Sequence, residues 1–246
     1  MLTLYHFWSS TCSRRVRICL AEKQIEWQSR HVDIAKKMEQ LEPWYQKLNA
    51  NGVVPTIDHD GNLVIESNII IQYLDEAFPG PSLTPEDPLK RARMRELFDR
   101  FEQVVHANIN VISYNRRHLP RVQHLSDDER RAMIMKKGDA DKRRIMLERL
   151  QHGVSEEDEA RAEARLANVL DELEAMLDGR DWLLGDDFSL ADISIAPFIE
   201  RFEANRLDRL VDFSVRPRLG TWWTRLQARA GFREAYAFTD PDAPDA

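Results

Sequence analysis

Ser9-Ser10-Thr11-Cys12-Ser13-Arg14-Arg15-Val16-Arg17 follows an apolar run, Leu2 to Phe7, and leads into an amphipathic stretch, Val16 to Lys23. The run reads as a strand and the stretch as a helix, so these nine residues lie where a strand ends and a helix begins. Such a junction offers unpaired backbone N–H groups and the positive end of the helix dipole, which lower the pKa of a thiol held there. Hydroxyls at the same point can donate a hydrogen bond to a thiolate. Ser and Thr are also the preferred N-caps, so at least one of these hydroxyls does no more than cap.

Outward from this junction the first eighty residues alternate strands and helices. A second strand is expected around Trp27 to Val32 and a helix from about Met38 to Leu48. Val54 to Asp58 and Leu63 to Glu66 read as short strands joined by the turn signal Asp60-Gly61, and a helix from Asn68 to Ala77 closes the unit. The order β-α-β-α-β-β-α implies a mixed sheet covered by helices. Pro79, Pro81, Pro85 and Pro88 then make a stiff connector, which places the domain boundary between 1–80 and 89–246. Everything beyond is helical in pattern. Leu97, Phe101, Val104, Val105 and Asn108 mark one helix face, and Leu166, Val169, Leu170, Leu173 and Leu177 another, ended by Asp178-Gly179.

Residues 116–160 carry many charges of both signs and read as a solvated helical excursion, with a site for an acidic partner as the alternative. Arg130 to Arg149 is locally basic, but Asp139, Asp141 and Glu148 interrupt it and no aromatics interleave. Nucleic acid is therefore not an expected partner. The tail Thr239 to Asp245 is expected to fray.

Composition narrows the classes further. The 246 residues are 43% apolar and 31% charged, with 35 Lys and Arg against 42 Asp and Glu, a net charge of −7. An acidic chain is poorly suited to binding a phosphate backbone. Neither G-x-G-x-x-G nor the P-loop pattern occurs among the nine glycines. Cys12 and Cys19 are the two cysteines, and on one helix they lie roughly 10 Å apart along the axis, too far for a bridge. The first twenty residues lack the order of a signal peptide, because Arg14, Arg15 and Arg17 follow the apolar start instead of preceding it. No uncharged apolar stretch of about 18 residues occurs, so a cytoplasmic protein without a membrane partner is expected. No metal site is expected.

Two further motifs bear on chemistry. In Val53-Val54-Pro55-Thr56 a proline opens a strand and leaves the preceding backbone free to pair with another extended chain. In Glu66-Ser67-Asn68, Ser67 is placed either to cap the next helix or to present that helix N-terminus to a ligand carboxylate. Together, the hydroxyl–thiol cluster, the Val-Pro about forty residues on and the Glu-Ser beyond it resemble the glutathione transferase superfamily. Asp187-Phe188-Ser189-Leu190-Ala191-Asp192-Ile193 is similar to the superfamily's helical-half signature. Its physical content is a capping box from Ser189 to Asp192 with Phe188 and Ile193 as the hydrophobic staple, so Asp192 is assigned to folding.

The resemblance implies an α/β plus all-α fold, a thioredoxin-like N-terminal domain followed by a C-terminal helical bundle. Ser10 to Ile18 is similar to the zeta-class S-S-C-x-x-R-V-R-I sequence of maleylacetoacetate isomerases, but Thr11 stands where that sequence has its second Ser. The charged insertion at 116–160, with Asn49 and Gly52 before Val53-Val54-Pro55, is more similar to bacterial glutathione-dependent β-aryl-etherases. Those carry an Asn-Ser pair in place of Cys12-Ser13. The resemblance implies that Ser10 or Ser13 contacts the sulfur of glutathione, the co-substrate, with Cys12 close by and Thr11 beside them. It further implies that Val54 pairs with the tripeptide backbone, that Pro55 is cis, and that Glu66 and Ser67 hold the γ-glutamyl end. Gln40 falls at the glycyl carboxylate, with Lys36 or Lys37 assisting. His106, Asn110 and Tyr114 would line the electrophile site or simply face the domain interface. The implied activity is thiolate attack on a small electrophile by a homodimer. The alternatives are β-aryl-ether cleavage, isomerisation, thiol–disulfide exchange at Cys12, and a non-catalytic scaffold.

Overall fold

The computed structural model describes residues 1–241; most of the acidic tail lies outside the described residues. Strand β1 (Leu2–His6) runs at the centre of a four-stranded sheet. It pairs in parallel with β2 (Gln28–His31), Leu4 opposite Ser29, and antiparallel with β3 (Thr56–His59), Leu4 opposite Ile57. β4 (Asn62–Ile65) then pairs antiparallel with β3, giving the order β2-β1-β3-β4. The parallel pair requires a crossover, and helix α1 (Thr11–Glu22) supplies it. α1 begins at Thr11, five residues before the apolar periodicity, because Ser10 caps it: its Oγ accepts from Ser13 N at 3.3 Å.

The helix expected from Met38 to Leu48 does not form as one element. A 3₁₀ turn at Glu39–Leu41 is followed by a single turn, α2 (Pro43–Gln46). Pro43 has no N–H to donate and disfavours helical geometry at Glu42, which is extended at φ −79°, ψ 148°. Helix α3 (Ser67–Ala77) follows β4. Ser67 does not cap it. Glu66 holds the cap position at φ 68° without a side-chain cap bond, and Ser67 is the first helical residue.

Beyond the prolines a continuous helical rod runs from Pro88 to Val122. It comprises α4 (Pro88–Arg100), a π-helical segment Phe101–His106, α5 (Ala107–Ser113), a second π-helical segment Tyr114–His118, and α6 (Leu119–Val122). The charged excursion contains α7 (Asp127–Met135) and α8 (Ala140–His152). Helices α9 (Glu156–Met176), α10 (Leu190–Ala204), α11 (Pro217–Gln227) and α12 (Ala230–Ala237) complete the bundle. No helix among the described residues is long and apolar enough to cross a membrane.

One apolar core joins the two halves. Val16, Ile18 and Leu20 of α1, Ile70, Ile71 and Leu74 of α3, and Ile193, Ile195 and Phe198 of α10 belong to the same cluster. A smaller cluster of Phe7, Val32, Tyr45 and Val54 lies beneath the loop that carries the Val-Pro motif. α1 is covered by α3, α10 and α12, which is why Ser13 to Leu20 are all buried. The capping box forms as read: Ser189 N and its hydroxyl both donate to Asp192 Oδ2 at 3.0 Å. Asp192 Oδ1 also accepts from Leu183 N at 3.1 Å and from Trp222 Nε1 at 2.8 Å, tying α10 to α11 and the preceding loop.

Candidate active site

The site forms where α1, the Val-Pro loop and α3 begin, because the antiparallel pairing places the end of β1 beside the start of β3, Tyr5 opposite Thr56. The hydroxyl of Ser10, half-buried at the cap, accepts from Ser13 N and leaves its own proton free to donate. Ser13 is fully buried, and its Oγ accepts from Phe7 N at 3.3 Å, which fastens the end of β1 to α1. Thr11 and Cys12 are half-buried beside them. Burial raises the Cys12 thiol above its usual range, against the pull of Arg15 and a hydrogen bond with Ser67. Such a thiol stays protonated at neutral pH, a poor starting point for attack by Cys12 itself.

The Val54–Pro55 peptide bond is cis. Two side chains fix the approach to it. Tyr45 Oη donates to Val53 O at 2.8 Å and Asn49 Nδ2 donates to the same oxygen at 3.0 Å. Asn49 Oδ1 accepts from Asn51 N at 3.0 Å, and Gly52 turns the chain at φ 60°, where a Cβ would lie 3.1 Å from Gln40 O. Among the described residues Val54 has no backbone hydrogen-bond partner, so its N–H and C=O are available to an extended ligand. Gln40 is buried; its Nε2 reaches Met38 Sδ at 3.6 Å and its Oε1 has no partner among the described residues.

Arg15 joins these segments, a role that the sequence reading did not assign to it. Fully buried, it donates from Nη1 to Ser67 Oγ at 2.7 Å and from Nε to Ser194 O at 3.0 Å, while Nη2 has no partner among the described residues. Glu102 Oε2 lies 3.9 Å from its guanidinium, and Glu102 Oε1 meets His106 Nδ1 at 2.5 Å. His106 thus faces the domain interface, its ring 5.7 Å from that of Phe198. Tyr114 is buried beneath the Arg149 guanidinium, while Asn110 is half-buried on the same rod. Lys36 and Lys37 are exposed. The buried Arg14 pairs with Glu200, and Arg201 of α10 donates to Ser9 O. Three arginines within four positions of a helix that later proves covered on every side was the available signal. No group of His, Cys, Asp and Glu among the described residues is placed to hold a metal ion.

Residues 4–82 match the model of the glutathione S-transferase N-terminal domain, and residues 156–236 match that of the C-terminal domain. The chain is a member of the glutathione S-transferase family. Within it, the chain is 30% identical to protein LigF of Sphingobium sp. strain SYK-6, over 96% of this chain and 93% of that one. The crystal structure of the β-etherase LigF superposes with a TM-score of 0.88 over 97% of this chain and 99% of that one, at 29% identity. Tetrachloro-p-hydroquinone reductive dehalogenase of Sphingobium chlorophenolicum is 31% identical over 95% of each chain. Maleylacetoacetate isomerase of Pseudomonas aeruginosa is 30% identical over the whole of each.

Helices α7 and α8 of the excursion lie between the two matched segments of this transferase-family chain. It docks on the N-terminal half: Gln46 Nε2 donates to Lys136 O at 2.5 Å, and Lys136 Nζ lies 3.8 Å from Glu42. Gly138 approaches so closely that a Cβ there would be 2.3 Å from Ala50 O. The excursion therefore closes over the same 42–51 loop that positions Val54.

Proposed function

We propose that this chain is a glutathione transferase that presents the tripeptide thiolate to a small electrophile, working as a cytoplasmic homodimer. The observation that carries the reading is the Ser10 hydroxyl, held at the start of α1 by Ser13 N with its own proton free. In this reading Ser10 donates to the thiolate, with Ser13, Cys12 and Thr11 around it, and Val54 pairs with the peptide backbone. Ser67 and Glu66 take the γ-glutamyl end, and Gln40 takes the glycyl carboxylate. The protein's task is to bring a thiol pKa of about 8.5 toward neutrality and to hold both reactants together. The exposed Leu63, Ile69 and Leu89, on β4, α3 and α4, support a subunit contact on that side.

The β-aryl-ether reading is favoured by the layout shared with LigF, insertion included. The isomerase reading is favoured by the first loop and by the Pseudomonas aeruginosa relative. A glutathione-dependent assay against chlorodinitrobenzene, a β-aryl ether, a maleyl-type cis olefin and a hydroperoxide separates the activities. Turnover of any one supports the enzyme. No turnover, with no heat on titrating millimolar glutathione, would leave the scaffold reading. A stable mixed disulfide on Cys12 would favour thiol–disulfide exchange.

A further inference from the structure

The turn between α7 and α8 is fastened from within. Lys136 N and Lys137 N close the end of α7 on Met133 O and Ile134 O at 3.2 and 3.1 Å. Arg143 Nη1 then donates to Lys137 O at 2.5 Å and to Gly138 O at 2.9 Å, and Asp139 Oδ1 caps α8 by accepting from Lys142 N at 2.9 Å. This preformed turn rests on Ala50. Gly138 does not have a positive φ, so the position calls for space and not for a special backbone conformation. A Cβ on it would stand 2.3 Å from Ala50 O and 3.1 Å from Ala50 C. Beside this contact Gln46 Nε2 donates to Lys136 O, and Lys136 Nζ faces Glu42.

Ala50 sits between Asn49 and Asn51, and the bond from Asn51 N to Asn49 Oδ1 aims the Asn49 amide. Its Nδ2 donates to Val53 O at 3.0 Å and to Thr56 Oγ1 at 3.3 Å, one partner on each side of Val54. Tyr45 Oη meets the same two oxygens, at 2.8 and 3.1 Å. A shift of Ala50 is therefore passed through two buried side chains to the backbone on both sides of Val54. The excursion itself has little else to fix it by burial. Ile134 is the one buried residue in α7 and α8. An element with so few buried apolar contacts opens at a low free energy, so a contact of a few atoms weighs on its position.

We propose that this turn is a clasp on the tripeptide site: seated on Ala50 and Gln46, it holds Tyr45 and Asn49 in the arrangement that presents the Val54 backbone, and glutathione binding and the seated turn favour each other. The clasp rests on the transferase reading above, which pairs the tripeptide with Val54. Gly138, Lys136 and Gln46 are positioning residues, and none of them belongs to the Ser10 cluster. The clasp therefore sets the affinity for glutathione and leaves the chemistry of the bound thiolate alone. Such coupling is reciprocal: the factor by which the seated turn tightens glutathione is the factor by which glutathione favours the seated turn.

The test pairs calorimetry of glutathione with hydrogen exchange of the full chain. Gly138→Val, whose side chain does not fit against Ala50 O, is expected to weaken glutathione about tenfold. Gln46→Ala, which loses one exposed hydrogen bond, is expected to weaken it about threefold. KM for glutathione should rise by the same factors, while kcat at saturating glutathione stays within about twofold. Arg144→Gln, exposed on α8 and paired only with Asp141, should change neither. Saturating glutathione should slow amide exchange across 127–152 in the wild type, and Gly138→Val should lose most of that slowing. Unchanged affinity in both variants overturns the proposal, as does a fall in kcat in place of the rise in KM. So does an equal loss of affinity in Arg144→Gln, or wild-type exchange across 127–152 that glutathione does not alter. Where Gly138→Val fails to fold, Gln46→Ala and Lys136→Met decide by the same readings. Absence of any heat with the wild type overturns the transferase reading and the clasp with it, whereas heat that the variants leave unchanged overturns the clasp alone.

Discussion

The Arg15 guanidinium, from the second turn of α1, donates to the Ser67 hydroxyl at the start of α3 over 2.7 Å, with both residues buried. This bond joins two segments that are 52 residues apart in the chain and that carry separate parts of the candidate site. Ser67→Ala leaves a buried charged donor unpaired and is expected to cost about 1–3 kcal/mol in chemical denaturation. It should also raise the KM for glutathione. A loss of stability without any change in KM would restrict Ser67 to a structural role.

Ser10 caps α1 and is assigned to the sulfur, so two effects must be separated. Ser10→Ala removes both the hydroxyl and the cap and is expected to cost about 0.5–2 kcal/mol of stability, whereas Ser10→Gly costs only a few tenths. Both should raise the pKa of bound glutathione by roughly one to two units in an ultraviolet thiolate titration, because each loses one charge-assisted hydrogen bond. Ser13→Ala and Cys12→Ala should move it less. If neither Ser10 variant moves the titration, activation lies with the helix dipole and the backbone N–H groups.

Lys23 and Asp75 form a buried ion pair at 2.9 Å that also holds the interdomain connector. Lys23 Nζ donates to Pro81 O at 3.2 Å, and Asp75 Oδ1 accepts from Leu83 N at 3.0 Å. Lys23→Met strands a buried carboxylate and is expected to cost about 3–5 kcal/mol, read as a fall in the urea midpoint at unchanged slope. The double variant Lys23→Met, Asp75→Leu should recover much of that.

Asp192 has four donors to satisfy, and none of them faces the candidate site. Asp192→Ala is expected to destabilise the fold by about 3 kcal/mol or more, since several buried donors lose their acceptor. Protein that remains folded at low temperature should keep the kcat of the wild type. A selective loss of kcat would give Asp192 a part in the chemistry.

His6 gives the stability a defined pH dependence. Arginine can only donate, so His6 Nδ1 accepts from Arg17 Nη1 at 3.0 Å and Nε2–H donates to Ser29 Oγ at 2.8 Å. Burial, then Arg17, then His31 hold the imidazole pKa down from 6.5 to about 3. Between those values the unfolded chain binds the proton and the folded chain does not, so stability falls as pH drops. The expected loss from this residue is about 2 kcal/mol between pH 7 and pH 5. His6→Asn keeps an acceptor for Arg17 and cannot be protonated, so urea titrations of that variant should show a flatter acid limb.

The local chemistry of the chain carried the fold class. Strand and helix periods, the Asp60-Gly61 turn, the proline run and the Ser189–Asp192 box each depend on residues near in sequence. Only tertiary structure decided what Arg14, Arg15 and Ser67 do, because their partners lie tens to hundreds of residues away and no local pattern encodes them. The same holds for the 39–46 segment. Its apolar spacing is compatible with one helix, but Pro43 breaks it, and packing of Tyr45 and Asn49 on the Val53 carbonyl selects the broken form. In sequence the excursion reads as a solvated run of mixed charge. Its docking on Glu42, Gln46 and Ala50 is decided by the tertiary structure, since charge pattern fixes exposure but not the surface that a charge will face.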